Sequence, residues 1–124
     1  MSREIRYRAW DKRFNKMVDI ETIDFRVQKL YYRSGYREST IINFKHAELL
    51  EYIGLRDRNG REIAEADILR ESDGRIYFIV WAEDEARFEL ENAQDHSLRH
   101  IKDVRIMTII GDTWQNPDLL EGAE

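Results

Sequence analysis

The chain has no cysteine among its 124 residues, so disulfides, thiolate nucleophiles and thiolate zinc sites are excluded. Its one proline, Pro117, lies near the C-terminal end, and no proline-rich linker divides the sequence. The six glycines are isolated and never take the clustered spacing of a phosphate-cradling loop. No Gly-x-Ser-x-Gly elbow occurs, and no serine stands beside an obvious base. Nothing approaches the roughly 20 apolar residues of a membrane span, and Met1 to Arg6 carry no signal-like apolar run. The expectation is a soluble, cytoplasmic protein with no cofactor and no membrane contact.

What remains is enough for one domain. At this length folding buries roughly two-thirds of the unfolded chain's surface, which supplies a core without covalent staples. The net charge is −5 and is unevenly spread. Residues 1–62 hold 14 Lys and Arg against 10 Asp and Glu, whereas residues 63–124 hold 6 against 15. An acid excess opposes sequence-independent binding to phosphate backbones, which needs clustered cations. The +4 and −9 halves suit packing against each other or a head-to-tail homo-oligomer.

Strand patterns dominate. Ile5, Tyr7 and Ala9 alternate with charged residues, giving a half-buried strand with an exposed edge open to self-association. Asp11 to Lys16 reads as a hairpin loop, with a return strand from Met17. The phase then slips, Ile20 being followed by Ile23, Phe25 and Val27, which implies a bulge or bend near Glu21-Thr22. Leu30–Tyr32 and Thr40–Phe44 read as a hairpin around Ser34-Gly35, while 45–52 fits a helical turn or an extended run. In the second half, Asp67–Glu71 and Arg75–Ala82 are strands about a Ser72-Asp73-Gly74 turn. The latter is apolar on both faces, so Trp81 is expected to be buried. A strand at 87–91, a polar segment at 92–103, a strand at 104–110 and a short helix after Asn116-Pro117 complete a small barrel.

The segment Glu51 to Leu69 is the most informative. Tyr52, Ile53 and Leu55 precede Asp57-Arg58-Asn59-Gly60, and Ile63, Ile68 and Leu69 follow. Asn59-Gly60 favours a tight reversal. The turn superficially resembles a calcium loop, but Arg61 and Glu62 replace the expected ligand and glycine, and the flanking arginines repel a cation.

Three stretches resemble the YopX family of phage and prophage proteins: Arg3 to Asp11, continuing to Lys16-Met17; Tyr52 to Leu69; and Ile110 to Leu120. The positions that carry the likeness are Tyr52, Gly54, Asp57, Asn59, Gly60, Ile63, Asp67, Gly111, Asn116 and Pro117. The resemblance implies a mainly β (β-rich α+β) fold over residues 1–124. It consists of an N-terminal β-hairpin lobe at 1–50, an SH3-like small barrel at 51–124 and a short C-terminal helix. It also implies a phage or prophage origin and so a bacterial host cytoplasm. The family pattern has glycine where this chain has Ala66. The simplest expectation is a negative φ there, with the usual glycine serving close packing.

Candidate chemistry is sparse. His96 and His100 would share a face only if their segment were helical, and two histidines in a polar stretch are ordinarily solvated. The acidic clusters Glu83-Asp84-Glu85 and Glu89/Glu91 fall in a turn and on an outward strand face, away from the burial that general acid–base work needs. Arg6, Arg8, Trp10, Lys12 and Arg13 form the candidate binding surface, provided Trp10 is free to stack rather than part of the core. The sequence therefore points to a non-enzymatic accessory protein whose partner is a host or phage protein. A nucleic-acid-binding small barrel is the alternative.

Overall fold

The structure, a computed structural model, describes residues 4–121. It is mainly β, with several antiparallel sheets, one of them a curled half-barrel, and a short C-terminal helix. The chain divides into two compact units, Glu4–Glu51 and the residues from Tyr52 onward, and each has its own apolar core.

In the first unit, β1 (Tyr7–Asp11) and β2 (Lys16–Asp19) form a hairpin that ends on the pair Asp11 and Lys16. The alternation does not extend back to Ile5, which is 68% exposed and precedes β1. β1 is an interior strand: β6 (Ala47–Arg56) pairs along its other side, from Tyr7 opposite Glu51 to Asp11 opposite Ala47. β1 is therefore paired on both sides and does not present the exposed edge expected over Ile5–Ala9.

Of the bulge or bend expected near Glu21-Thr22 the structure has the bend, at Glu21, where the chain changes sheet. β2 ends at Asp19 on β1, and β3 (Thr22–Asp24) pairs instead with β4 (Lys29–Arg33), which pairs with β5 (Ser39–Asn43). Phe25 and Val27 continue the alternation on paper but sit exposed in the β3–β4 turn. Asp24 stops the strand, because its carboxylate accepts the Arg26 and Val27 N–H groups and folds the backbone over. Ala9, Leu30, Tyr32 and Ile42 make the core. Residues 45–52, open to two readings from sequence, contain both: a 3₁₀ turn at Phe44–His46 and then β6.

In the second unit, the later half of β6 turns through Asn59-Gly60 into β7 (Glu62–Ala64). Gly60 has φ +81 with no atom near its missing Cβ, so backbone conformation alone requires glycine there. The half-barrel runs in the order β11-β10-β9-β8-β12, from β8 (Asp67–Arg70), β9 (Ile76–Ala82), β10 (Arg87–Asn92), β11 (Leu98–Arg99) and β12 (Thr108–Asp112). Leu69, Tyr77, Ile79, Leu90, Val104 and Met107 fill its core, each large aliphatic contributing about 1.5–3 kcal/mol through burial.

Several expectations fail in this unit. Val104 to Ile106 belong to a 3₁₀ helix (Ile101–Ile106), and the last strand starts only at Thr108. Trp81 is 44% exposed: Tyr77 and Ile79 on its face belong to the core, whereas Trp81 lies edge-on to Phe88, which is itself only partly buried against that core. Ala66 has φ +78, so the position is left-handed and the simple reading is overturned. The reason is local. Ala66 must donate to the Ile79 carbonyl and accept from the Thr113 N–H, at 3.1 and 2.9 Å, inside a tight β7–β8 corner. The polar 92–103 segment is ordered by Asn92, which accepts the Gln94 and Asp95 N–H groups. The described residues end in α1 (Asp118–Glu121).

Candidate interaction surfaces

The N-terminal cations are largely committed. Arg13 grips Asp11 with both its Nε and Nη2, at 3.2 and 3.1 Å, and Tyr32 donates its hydroxyl to the same carboxylate at 3.0 Å. Burial alone would push the Asp11 carboxyl up, but the Arg13 guanidinium and N–H, with Tyr32, outweigh it and hold the group below the usual carboxylate range. Lys12 pairs with Glu48 at 3.1 Å, and Arg6 lies 3.9 Å from Glu4. Arg8 is half-buried on β1. Trp10 is only 8% exposed, which closes its face to a stacked base. An aromatic is available at the hairpin tip, where Phe14 is 61% exposed with the Arg13 guanidinium 4.9 Å from its centroid.

The signature positions hold backbone together. Both oxygens of buried Asp57 accept N–H groups, those of Asn59 and Arg61 within the turn and that of Ile109 on β12. Burial raises its pKa, and these three donors more than offset it, so the carboxyl ends below its ordinary value. Asp67 Oδ2 accepts from the Ala64 N–H at 2.8 Å, closing the corner at Ala66. The Asn116 amide oxygen accepts from the Asp112 N–H and occupies the space a Cβ on Gly111 would need. The Asn116 side chain thus reaches backward to β12 rather than forward over the helix that begins at Asp118. Gly54 sits in the β6 irregularity between Tyr52 and Arg56, and Ile63 is core. Arg3, at the start of the first matching stretch, lies outside the described residues.

The histidine spacing carries no shared face, because the intervening segment is not a helix. His96 occupies a turn with φ +62 and lies 2.9 Å from Glu91 Oε2, while His100 accepts from the Lys102 N–H as the cap of the 3₁₀ helix. Among the described residues no group of three or more His, Asp or Glu is placed to hold a metal. Glu89, expected on an outward face, is buried and paired with Arg87 at 3.0 Å.

One feature was not visible in the sequence. A groove of about 320 Å³ runs between β10, β11 and the 3₁₀ helix, lined by the apolar Phe88, Leu98 and Ile101 and by the polar Arg87, Glu89, Arg99 and His100. Trp81 stands opposite Phe88 in the ladder and meets its ring edge-on at 4.9 Å. Arg99 forms a fixed wall: it donates to Glu71 at 2.6 Å, to the Tyr77 hydroxyl at 3.2 Å and to Asp103 at 3.1 Å. The Tyr77 hydrogen bond, then that of Glu71, raises its pKa further against the cost of burial. Glu71 and Arg99 are 28 positions apart, and no periodicity joins them; only the sheet does.

These features define a mainly antiparallel β protein whose second unit is a curled half-barrel closed by buried aspartates. Residues 6–121 match the YopX protein family, and the chain belongs to it. The chain is also similar to a solved structure, the crystal structure of protein EF1440 from Enterococcus faecalis. That match has a TM-score of 0.62 at 23% identity and covers 96% of this chain and 99% of that one. At that identity the likeness is one of fold. No curated protein matches the chain. No helix among the described residues is long and apolar enough to cross a membrane.

Proposed function

We propose that this YopX-family protein is a phage- or prophage-encoded accessory protein that acts in the bacterial cytoplasm, without catalysis, by binding another protein. The observation that carries this reading is Trp81, a large aromatic held in the open beside a shaped apolar groove. Tryptophan in such a position supplies much of the energy of protein interfaces, since it buries a large surface with few rotors to freeze. Leu98 is exposed in the same groove, whereas the rim charges Arg87 and Arg99 already have carboxylate partners. The groove therefore suits an apolar anchor from a partner chain better than a charged substrate. The non-enzymatic reading is supported by Asp11 and Asp57, whose oxygens are filled by structural donors.

The test is affinity capture of the tagged protein from a bacterial host. A specific partner retained by the parent and lost on Trp81→Ala or Leu98→Asp, with the melting temperature kept, supports the proposal. Equal capture by parent and variants rejects it.

A second reading, nucleic-acid binding, rests on Phe14 with Arg13 and Lys16 beside its ring at 4.9 and 5.9 Å. It requires affinity that falls steeply with salt, as phosphate contacts release counterions. Binding weaker than about 10⁻⁶ M near physiological salt leaves it at the non-specific level.

A further inference from the structure

A second cavity in the half-barrel unit, about 400 Å³, opens where the β8–β9 turn meets the start of β12. Arg70 and Thr108 stand directly opposite one another in the β8–β12 ladder. Arg58 is brought to the same cavity because its N–H donates to the Met107 carbonyl at 2.8 Å. Ser72 completes the polar lining. Two carboxylates also border the space, but each is already balanced. Glu71 accepts from Arg99 at 2.6 Å, and Asp73 accepts from the Arg75 Nε at 2.7 Å and from its N–H at 3.0 Å.

Arg58 and Arg70 differ from these neighbours: neither takes part in any ion pair among the described residues. In a protein with 25 acidic residues against 20 basic ones, two arginines without an ion-pair partner among the described residues lining one cavity are not the expected arrangement of a mixed surface. Their chemistry is specific. Guanidinium presents a planar fork of donors that matches phosphate oxygens in pairs, and the two hydroxyls add donors that suit the remaining oxygens. The volume falls in the range of small-molecule sites, roughly 300–1,000 Å³, which leaves room for more than a bare anion. A cation is disfavoured by the same two charges.

We propose that this cavity binds the phosphate group of a small phosphomonoester, held by Arg58 and Arg70 and completed by Ser72 and Thr108. The site is separate from the Trp81 groove, and its failure leaves the protein-binding reading untouched.

The test is amide NMR of the ¹⁵N-labelled protein titrated at constant ionic strength with inorganic phosphate, a nucleoside monophosphate, or sodium chloride. The expected result is a saturable shift at the Ser72, Gly74 and Thr108 amides with both phosphate compounds and none with chloride. Arg58→Gln and Arg70→Gln should each weaken binding about tenfold, the size of one lost charged hydrogen bond. Both side chains are exposed, so the rest of the spectrum reports that each variant is folded. Saturation by the nucleoside monophosphate at lower concentration than by inorganic phosphate identifies the ester rather than the free anion as the better ligand. The proposal is overturned if the shifts stay linear to about 10 mM or if the affinity survives both substitutions. Binding of oligonucleotides alone, with a steep salt dependence, would overturn it as well.

Discussion

The Asp57 carboxylate accepts the Ile109 N–H at 3.0 Å across 52 positions of sequence, so the tight turn and the last strand of the half-barrel are fastened by one side chain. Its other oxygen holds the Asn59 and Arg61 N–H groups at 2.9 Å. Removing it leaves three donors without an acceptor, one of them buried. Asp57→Ala is expected to cost about 1–3 kcal/mol, read as a lower denaturant midpoint with an unchanged slope.

Asp57 and Asp11 also give the protein an acid-sensitive stability. Both folded-state pKa values are depressed, so the unfolded chain binds protons first as pH falls. The stability they contribute is fully present above the unfolded aspartate value of about 3.9. It is lost as pH falls below that value through the folded ones. Urea midpoints measured from pH 6 downward should fall more steeply for the parent than for Asp57→Asn, which has no proton to gain at that site. Parallel curves would contradict this.

Ala66 occupies a left-handed conformation in which a Cβ costs about 1–2 kcal/mol. Ala66→Gly removes that strain but gives up a buried methyl and adds freedom to the unfolded chain, so stability should hold or rise. Ala64→Gly, two residues earlier in β7, has no strain to relieve and should lose at least about 0.5–1 kcal/mol. Equal losses at the two positions would show that the φ of +78 carries no strain.

Much of this fold was legible in the sequence because local rules decide it. The hairpins at Asp11–Lys16 and Asn59-Gly60 follow from turn residues between alternating strands, and the structure forms both. Alternation misled where a side chain overrode it. Phe25 and Val27 keep a strand's phase, yet Asp24 accepts two backbone N–H groups and ends the strand before them. Trp81 shows the complementary limit: an apolar strand face does not reveal how far the core beneath it extends. The groove and the Arg58–Arg70 cavity depend on which strands become neighbours, and no single segment records that. The signature residues were recognisable as a pattern, while their physical role, securing turns and corners to distant backbone, emerged only from the hydrogen bonds.

Gly111 and Asn116 are a matched pair. A Cβ at position 111 would overlap the Asn116 amide, which must then release the Asp112 N–H it holds at 3.2 Å. Gly111→Ala and Asn116→Ala should each destabilise, but the double variant should cost less than their sum, since the clash needs both side chains. Coupling of about 0.5 kcal/mol or more in a double-mutant cycle is expected, and strict additivity would exclude the contact.

Protein binding through the Trp81 groove is tested most directly by site-specific photocrosslinking in host cells, with a benzophenone amino acid placed at Leu98 and, separately, at Phe14. The expected result is a discrete protein adduct from position 98 that disappears on Trp81→Ala, with no comparable adduct from position 14. A nucleic-acid adduct from position 14, with none from position 98, would contradict it.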